Sequence, residues 1–199
     1  YRIEPFLLSQ GVRKLEYVFV THGDADHING IQELLQNQKQ GVEIDALVLP
    51  PEEYMDEKLL HLAEMAKENG TRVLTIYSGE EVGTYLKCIA PLTTRKNECT
   101  RGRMEEVPRL EAGNEASVVL ELKDGAFQML LTGDLEGRGE EQLVESGTLE
   151  SCPILKAGHH GSKNSGSEDF LQIVNPRLTL ISAGIENRYG HPHAETLER

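Results

Sequence analysis

The apolar segments of this chain that can become buried strands repeatedly run into short polar loops rich in His, Asp or Gly, and several of those loops open a helix. Leu15-Glu-Tyr-Val-Phe-Val-Thr21 leads through His22-Gly-Asp-Ala-Asp-His27 into residues 28–38, where Ile28, Ile31, Leu34 and Leu35 recur at helical spacing. Ile44-Asp-Ala-Leu-Val-Leu49 is stopped by Pro50-Pro51. A helix is predicted over 52–69, with Leu59, Leu60, Leu62, Ala63 and Ala66 inward and Gly70 at its end. Residues 4–10 read as a short helix, and 72–77 and 84–90 as further strands. A strand-loop-helix pattern of this kind selects a layered α/β fold over an all-helical or all-β one.

Residues 91–113 carry no period and are charged, so they are predicted to form a long loop, of the length that is often functional. Regular structure returns at 116–122 and 127–131, joined by Lys123-Asp-Gly125, a strong hairpin signal. Two more strand-to-helix units follow. Residues 154–157 lead to a Gly-Ser loop and a helix at 168–174, and residues 178–183 lead to a polar loop and a helix start at Ala194. Hairpins mixed with crossovers indicate a mixed sheet and one domain over the 199 residues. The chain opens at Tyr1 without Met, which reads as a piece of a longer protein.

A net charge of −13 gives no general attraction to nucleic acid or anionic lipid, so any phosphate must meet a local positive charge such as a metal. No apolar run approaches the ~20 residues of a membrane helix. Three scattered cysteines, Cys88, Cys99 and Cys152, exclude a disulfide framework but allow one bridge. Five basic residues in the 94–109 stretch, Arg95, Lys96, Arg101, Arg103 and Arg109, suit either a solvated loop or a contact with a phosphate backbone.

Chemistry-bearing residues collect at the strand ends. His22, Asp24, Asp26 and His27 place four ligand-type side chains within six residues, more than a helix cap needs. Imidazole and carboxylate suit Zn, Mn or Fe. Thr132-Gly133-Asp134 ends an apolar strand, where Asp is a turn residue or a ligand. Gly158-His159-His160-Gly161-Ser162 follows another strand, either as a plain connector or as a loop that approaches a ligand. Asn187-Arg188-Tyr189-Gly190-His191-Pro192-His193 follows the last one, and His61, alone on a helix, reads as solvent-exposed. In open α/β sheets ligands bind at the carboxyl ends of strands, so these clusters can converge.

His22-Gly-Asp24-Ala-Asp26-His27 resembles the H-x-[HD]-x-D-H signature of the metallo-β-lactamase superfamily. With NEASVVL, LLTGDLE, ILKAGHHGS and ISAGIENRYGHPH in order, the chain resembles the branch of that superfamily found at the C-terminus of competence proteins of DNA uptake. The resemblance implies a four-layer αββα sandwich, here without the strands that usually precede the signature, and two divalent ions, Mn or Zn. It assigns His22 and Asp24 to one metal, Asp26 and His27 to the other, Asp134 as the bridge and His159 as the ligand completing the second site. His191 is the rival for that last role or a proton donor. The superfamily's further His is absent from Asn114-Glu-Ala-Ser117, which leaves the first site richer in oxygen and makes Mn²⁺ as suitable as Zn²⁺.

The activity so implied is metal-dependent phosphodiester hydrolysis, with DNA as substrate and a membrane channel elsewhere in the same bacterial membrane polypeptide as partner. Asp26, His160 and His191 are the catalytic candidates. Ser162, Asn187 and Tyr189, with Asn164, are the candidates for holding phosphate. Hydrolysis of another phosphodiester or an ester, or a non-catalytic metal-containing module that binds DNA, are the alternatives.

Overall fold

The computed structural model describes residues 3–93 and 108–199. The basic stretch at 94–109 thus lies almost wholly outside the described residues, as does Cys99. The chain divides into two compact units, Tyr1–Ile76 and Tyr77–Arg199.

The first unit contains α1 (Ile3–Ser9), β1 (Lys14–Phe19), α2 (Ala25–Asn37), β2 (Glu43–Leu49), α3 (Glu57–Glu68) and β3 (Arg72–Thr75). The strands form a parallel sheet in the order β1-β2-β3, in register Leu15↔Ile44 and Ala46↔Arg72. Parallel neighbours need crossovers, and α2 and α3 supply them. Central β2 is apolar for nearly its whole length because it is covered on both faces, and its Ile44, Leu47 and Leu49 pack with Leu35, Leu59 and Leu62. The helix predicted from residue 52 begins later. Glu52–Tyr54 is a single 3₁₀ turn, and α3 starts after Asp56, whose carboxylate caps it by accepting from the Leu59 amide at 2.9 Å.

The second unit contains β4 (Glu81–Val82), β5 (Leu86–Ala90), β6 (Val119–Asp124), β7 (Phe127–Leu131), α4 (Gly137–Glu145), β8 (Ile154–Lys156), α5 (Glu168–Val174), β9 (Leu178–Leu180) and α6 (Ala194–Glu198). Its six strands lie in sequence order, antiparallel as far as β7 and parallel from β7 to β9. The expected hairpin is the β6-β7 pair, closed by Asp124↔Phe127 with Gly125 at φ +57°. Val119, Leu130, Leu143, Leu155, Phe170 and Val174 form the core between this sheet and α4 and α5.

Two sequence readings change here. Residues 116–118 are not strand, because Asn114–Ala116 is a 3₁₀ turn before β6. Helix α4 was not foreseen, since Gly-Arg-Gly-Glu-Glu-Gln-Leu-Val-Glu carries two glycines and its large apolar residues are just Leu143 and Val144. Its buried Glu140 accepts from the Gly166 and Ser167 amides at 2.6 and 2.8 Å, which anchors it on the start of α5. Cys88 and Cys152 are buried free thiols, and burial pushes Cys88 up to about 12, so it behaves as an inert apolar residue. Among the described residues no helix is long and apolar enough to cross a membrane.

β7, β8 and β9 run parallel, so their carboxyl ends share one edge of the sheet. That edge receives Asp134, the paired histidines 159 and 160, and the loop after β9. In the first unit the carboxyl end of β1 delivers the signature loop.

Candidate metal centre

In the first unit Val20 still pairs with β2, its amide donating to Val48 O at 2.9 Å, and the chain then leaves the sheet. Asp24 occupies the N-cap position of α2 in an extended conformation, yet its side chain makes no capping bond. Its Oδ2 lies instead 3.7 Å from His22 Nε2, and its Oδ1 lies 3.6 Å from Lys58 Nζ. His22 is buried, and its ring stands 4.2 Å, centroid to centroid, from that of His27. His27 Nε2 lies 3.9 Å from Asp26 Oδ2.

Thr21 had no role in the sequence reading, but its Oγ1 sits 3.0 Å from His22 Nδ1 and 3.1 Å from His27 Nδ1. One hydroxyl oxygen has two lone pairs and can accept from both rings. In that arrangement both Nε2 atoms keep their lone pairs for a ligand.

Gly23 is required by close approach. A Cβ there would lie 2.4–2.5 Å from both carboxyl oxygens of Asp56, which is already committed to the α3 cap. We expect Gly23→Ala to cost about 1–3 kcal/mol, read as a lowered urea midpoint. A loss below about 0.5 kcal/mol would mean that the loop shifts freely.

In the second unit Asp134 is buried beyond β7. Its amide donates to Ser117 Oγ at 3.2 Å, and Thr132 Oγ1 donates to Lys156 O at 2.6 Å, which ties the end of β7 to β8. His159 and His160 both have left-handed backbone, at φ 41° and 55°. For residues with a Cβ this costs roughly 1–2 kcal/mol each, and such strain clusters at functional sites. Gly158 allows the turn, because a Cβ there would meet Leu135 O at 2.6 Å.

The strained turn directs both Nε2 atoms toward one carboxylate. Asp134 Oδ2 is 3.5 Å from His160 Nε2 and 3.8 Å from His159 Nε2. Behind the rings, His160 Nδ1 donates to Ser182 O at 2.6 Å and His159 Nδ1 contacts Glu136 Oε2 at 2.8 Å. Glu136 was not among the sequence candidates. Burial pushes its carboxyl up, but hydrogen bonds from His159, Asn114 and Ser162 outweigh this and hold it below the ordinary range.

The loop after β9 completes this edge. His191 stands 5.0 Å from the His159 ring and 6.4 Å from the His160 ring, centroid to centroid. Burial, then the charges of His159, His193 and His160, lower its pKa, partly opposed by Asp134. Asn187 spends its amide on the loop itself, donating to Gly184 O and His191 O and accepting from His191 N. Ser162 is buried, with its hydroxyl on Glu136 at 3.3 Å and accepting from the Asn164 amide. Tyr189 is exposed and stacks on His191 at 5.8 Å. Asn114 directs its Nδ2 to Glu136 Oε1 at 3.0 Å. His61 is exposed, as expected.

The second-unit edge therefore gathers Asp134, His159, His160 and His191, and the first-unit loop gathers His22, Asp24, Asp26 and His27. The side chains of Ser162 and Asn187 hold the loops that carry the histidines.

The donor set fits divalent metal. The His-carboxylate separations of 3.5–3.9 Å within each unit exceed ordinary hydrogen bonds. They approach the about 3–3.5 Å between two donors that each bind one ion at ~2.1 Å. All are nitrogen or oxygen atoms, as Zn²⁺ or Mn²⁺ accepts.

The model of the metallo-β-lactamase superfamily matches residues 1–184, and the chain belongs to that superfamily, a family of metal-dependent hydrolases. Its mixed α/β architecture is consistent with the superfamily's sandwich fold. The chain is 33% identical over 200 residues to ComE operon protein 3 of Bacillus subtilis, covering 98% of this chain and 23% of that protein. It is 32% identical to competence protein ComA of Neisseria gonorrhoeae, covering 96% of this chain and 23% of that protein. Recombination protein 2 of Haemophilus influenzae is 29% identical, covering 99% of this chain and 21% of that protein. These likenesses support the resemblance to the ComEC type of competence protein. The chain spans about a quarter or less of these relatives' length.

Proposed function

We propose that the chain is a metal-dependent phosphodiester hydrolase acting on DNA during uptake, as part of a longer bacterial membrane protein. The observation that carries hydrolysis is the Asp134 carboxylate met by two imidazole Nε2 atoms from a strained turn, 3.5 and 3.8 Å away. DNA as substrate, and a membrane channel of the same polypeptide as partner, come from the resemblance to competence proteins of DNA uptake, and a relative named a competence protein supports that resemblance.

In this reading His22 and Asp24 would hold one divalent ion and Asp26, His27 and His159 another, with Asp134 available as a ligand to both. When bound, two such ions lower the pKa of water and polarise a phosphoryl oxygen. The remaining work falls to the chain's own side chains. Asp26, beside His27, orients the attacking water. His160 contacts the phosphate, and His191 delivers a proton to the departing oxygen. Exposed Tyr189, stacked on His191, offers a phenol and a ring face to substrate, while Asn187 fixes the loop beneath it. Ser162 takes part through its hydroxyl network with Glu136 and Asn164.

Distance does not rank the two adjacent histidines, since 3.5 and 3.8 Å are both close to co-ligand spacing. Their partners do. His159 has a carboxylate behind Nδ1, which raises ligand basicity more than the carbonyl behind His160. His159→Ala should then lose about one equivalent of metal, whereas His160→Ala keeps its metal and loses rate by about 10²-fold on both DNA and a small phosphodiester. Equal metal loss in both variants, or in neither, contradicts the division. Activity on the small diester with none on DNA favours the broader hydrolase reading.

A further inference from the structure

Behind His159 lies a group of hydrogen-bonding side chains in which the proposed reaction gives Glu136 and Asn114 no role of their own. Glu136 Oε2 contacts His159 Nδ1 at 2.8 Å and accepts from Ser162 Oγ at 3.3 Å, while Oε1 accepts from Asn114 Nδ2 at 3.0 Å. Three donors thus converge on one carboxylate that is itself largely buried. An ionised carboxylate is an acceptor only, so the 2.8 Å contact requires the proton on His159 Nδ1. The Asn114 amide lies 3.4 Å from the same Nδ1, the long end of the range, because its own partner is the other oxygen of Glu136.

We infer that Glu136 is a positioning residue: clamped by Asn114 and Ser162, it fixes His159 in the Nδ1–H tautomer, so that the Nε2 lone pair, 3.8 Å from Asp134 Oδ2, is open to a cation the two would share. This rests on the metal-centre reading above for what Nε2 then binds. It also gives Asn114 a role. The segment that lacks the superfamily's further histidine supplies a brace for the carboxylate behind another one. The left-handed turn at His159 is what makes such a brace useful. The backbone turn sets where the side chain leaves the loop but not its torsions, and the Glu136 contact restrains those.

The tautomer and the affinity are both measurable without substrate. Nitrogen-15 spectra of the metal-free chain should show His159 with a protonated Nδ1 and a bare Nε2, assigned by loss of the signals in His159→Ala. In Glu136→Gln the amide keeps the shape but cannot accept all three donors, and its NH₂ facing the ring would reverse the tautomer. Mn²⁺ affinity, titrated by water-proton relaxation, should fall about 10–100-fold in Glu136→Gln and Glu136→Ala. Glu136→Asp, which keeps the acceptor, should recover part of the loss. A His159 protonated on Nε2 in the unaltered chain, or Mn²⁺ affinity within about twofold in Glu136→Gln with its tautomer unchanged, would overturn the inference. Should Glu136→Ala fail to fold, the spectrum of the unaltered chain and the isosteric variant still decide. A chain with the stated tautomer and Mn²⁺ affinity that cleaves nothing contradicts the hydrolase reading and leaves this one standing.

Discussion

Asp134→Ala should give a folded chain that keeps at most a fraction of its divalent metal and hydrolyses phosphodiesters about 10³-fold or more slowly, a barrier increase of about 4 kcal/mol. The size follows from where the carboxylate sits. It is buried at the end of β7, and two imidazole Nε2 atoms converge on one of its oxygens. In the proposed site it serves both ions, so its loss empties two positions at once. The fold should survive, because the hydrogen bond holding this turn to Ser117 uses the Asp134 amide and Thr132 ties β7 to β8 independently. Circular dichroism, elemental analysis and single-turnover rates check the three parts. A rate within about tenfold of the unaltered chain would remove Asp134 from the reaction.

The second large effect concerns metal choice. The unaltered chain should be stimulated by Mn²⁺ over Zn²⁺, and Asp24→His should raise Zn²⁺ affinity relative to Mn²⁺ by about tenfold or more. Asp24 stands where the superfamily's signature more often has His, and Asn114 is engaged with Glu136. In the proposed site the first ion would therefore have oxygen-rich donors. α2 starts on the Asp24 backbone carbonyl while the carboxylate, 3.6 Å from Lys58 Nζ, caps nothing, so it can turn to a ligand in a way a capping aspartate does not. Competition titrations of both chains with Mn²⁺ and Zn²⁺ test this. An unchanged preference in Asp24→His would mean that Asp24 does not contact metal.

What could be read before the fold was known divides along physical lines. α2 was legible because its buried Ile28, Leu34 and Leu35 recur at helical spacing, β1 and β2 because they read as apolar, β-branched runs, and the β6-β7 hairpin because Asp-Gly marks the tight turn between its strands. Strand ends followed by His and Asp located the candidate ligands, since a buried strand must expose its polar residues where it leaves the sheet. Helix α4 was not legible, because its two glycines and three glutamates hide an anchor made by Glu140 on the backbone of residues 166 and 167. Glu136 escaped notice because a glutamate two residues after Gly-Asp reads as an ordinary acidic helix start. Its meaning depends on His159, 23 residues later, which folding brings to 2.8 Å. Thr21 was passed over for a similar reason, as a hydroxyl before a histidine gains significance only when a second imidazole folds back to it. Ser162 and Asn187 show the converse. Their chemistry suits phosphate, but hydrogen-bond geometry commits the hydroxyl to Glu136 and the amide to the His191 loop.

One measurement tests most directly whether the chain is a two-metal phosphodiesterase. A polypeptide extended upstream as in the competence-named relatives is loaded with Mn²⁺, its bound metal is counted, and its cleavage of DNA and of a generic phosphodiester is followed in the same sample. A two-metal phosphodiesterase should show two ions per chain and Mn²⁺-dependent cleavage that disappears in Asp134→Ala. Two bound ions with no cleavage of either substrate under Mn²⁺, Zn²⁺ or Mg²⁺ would contradict it and leave a metal-containing binding module.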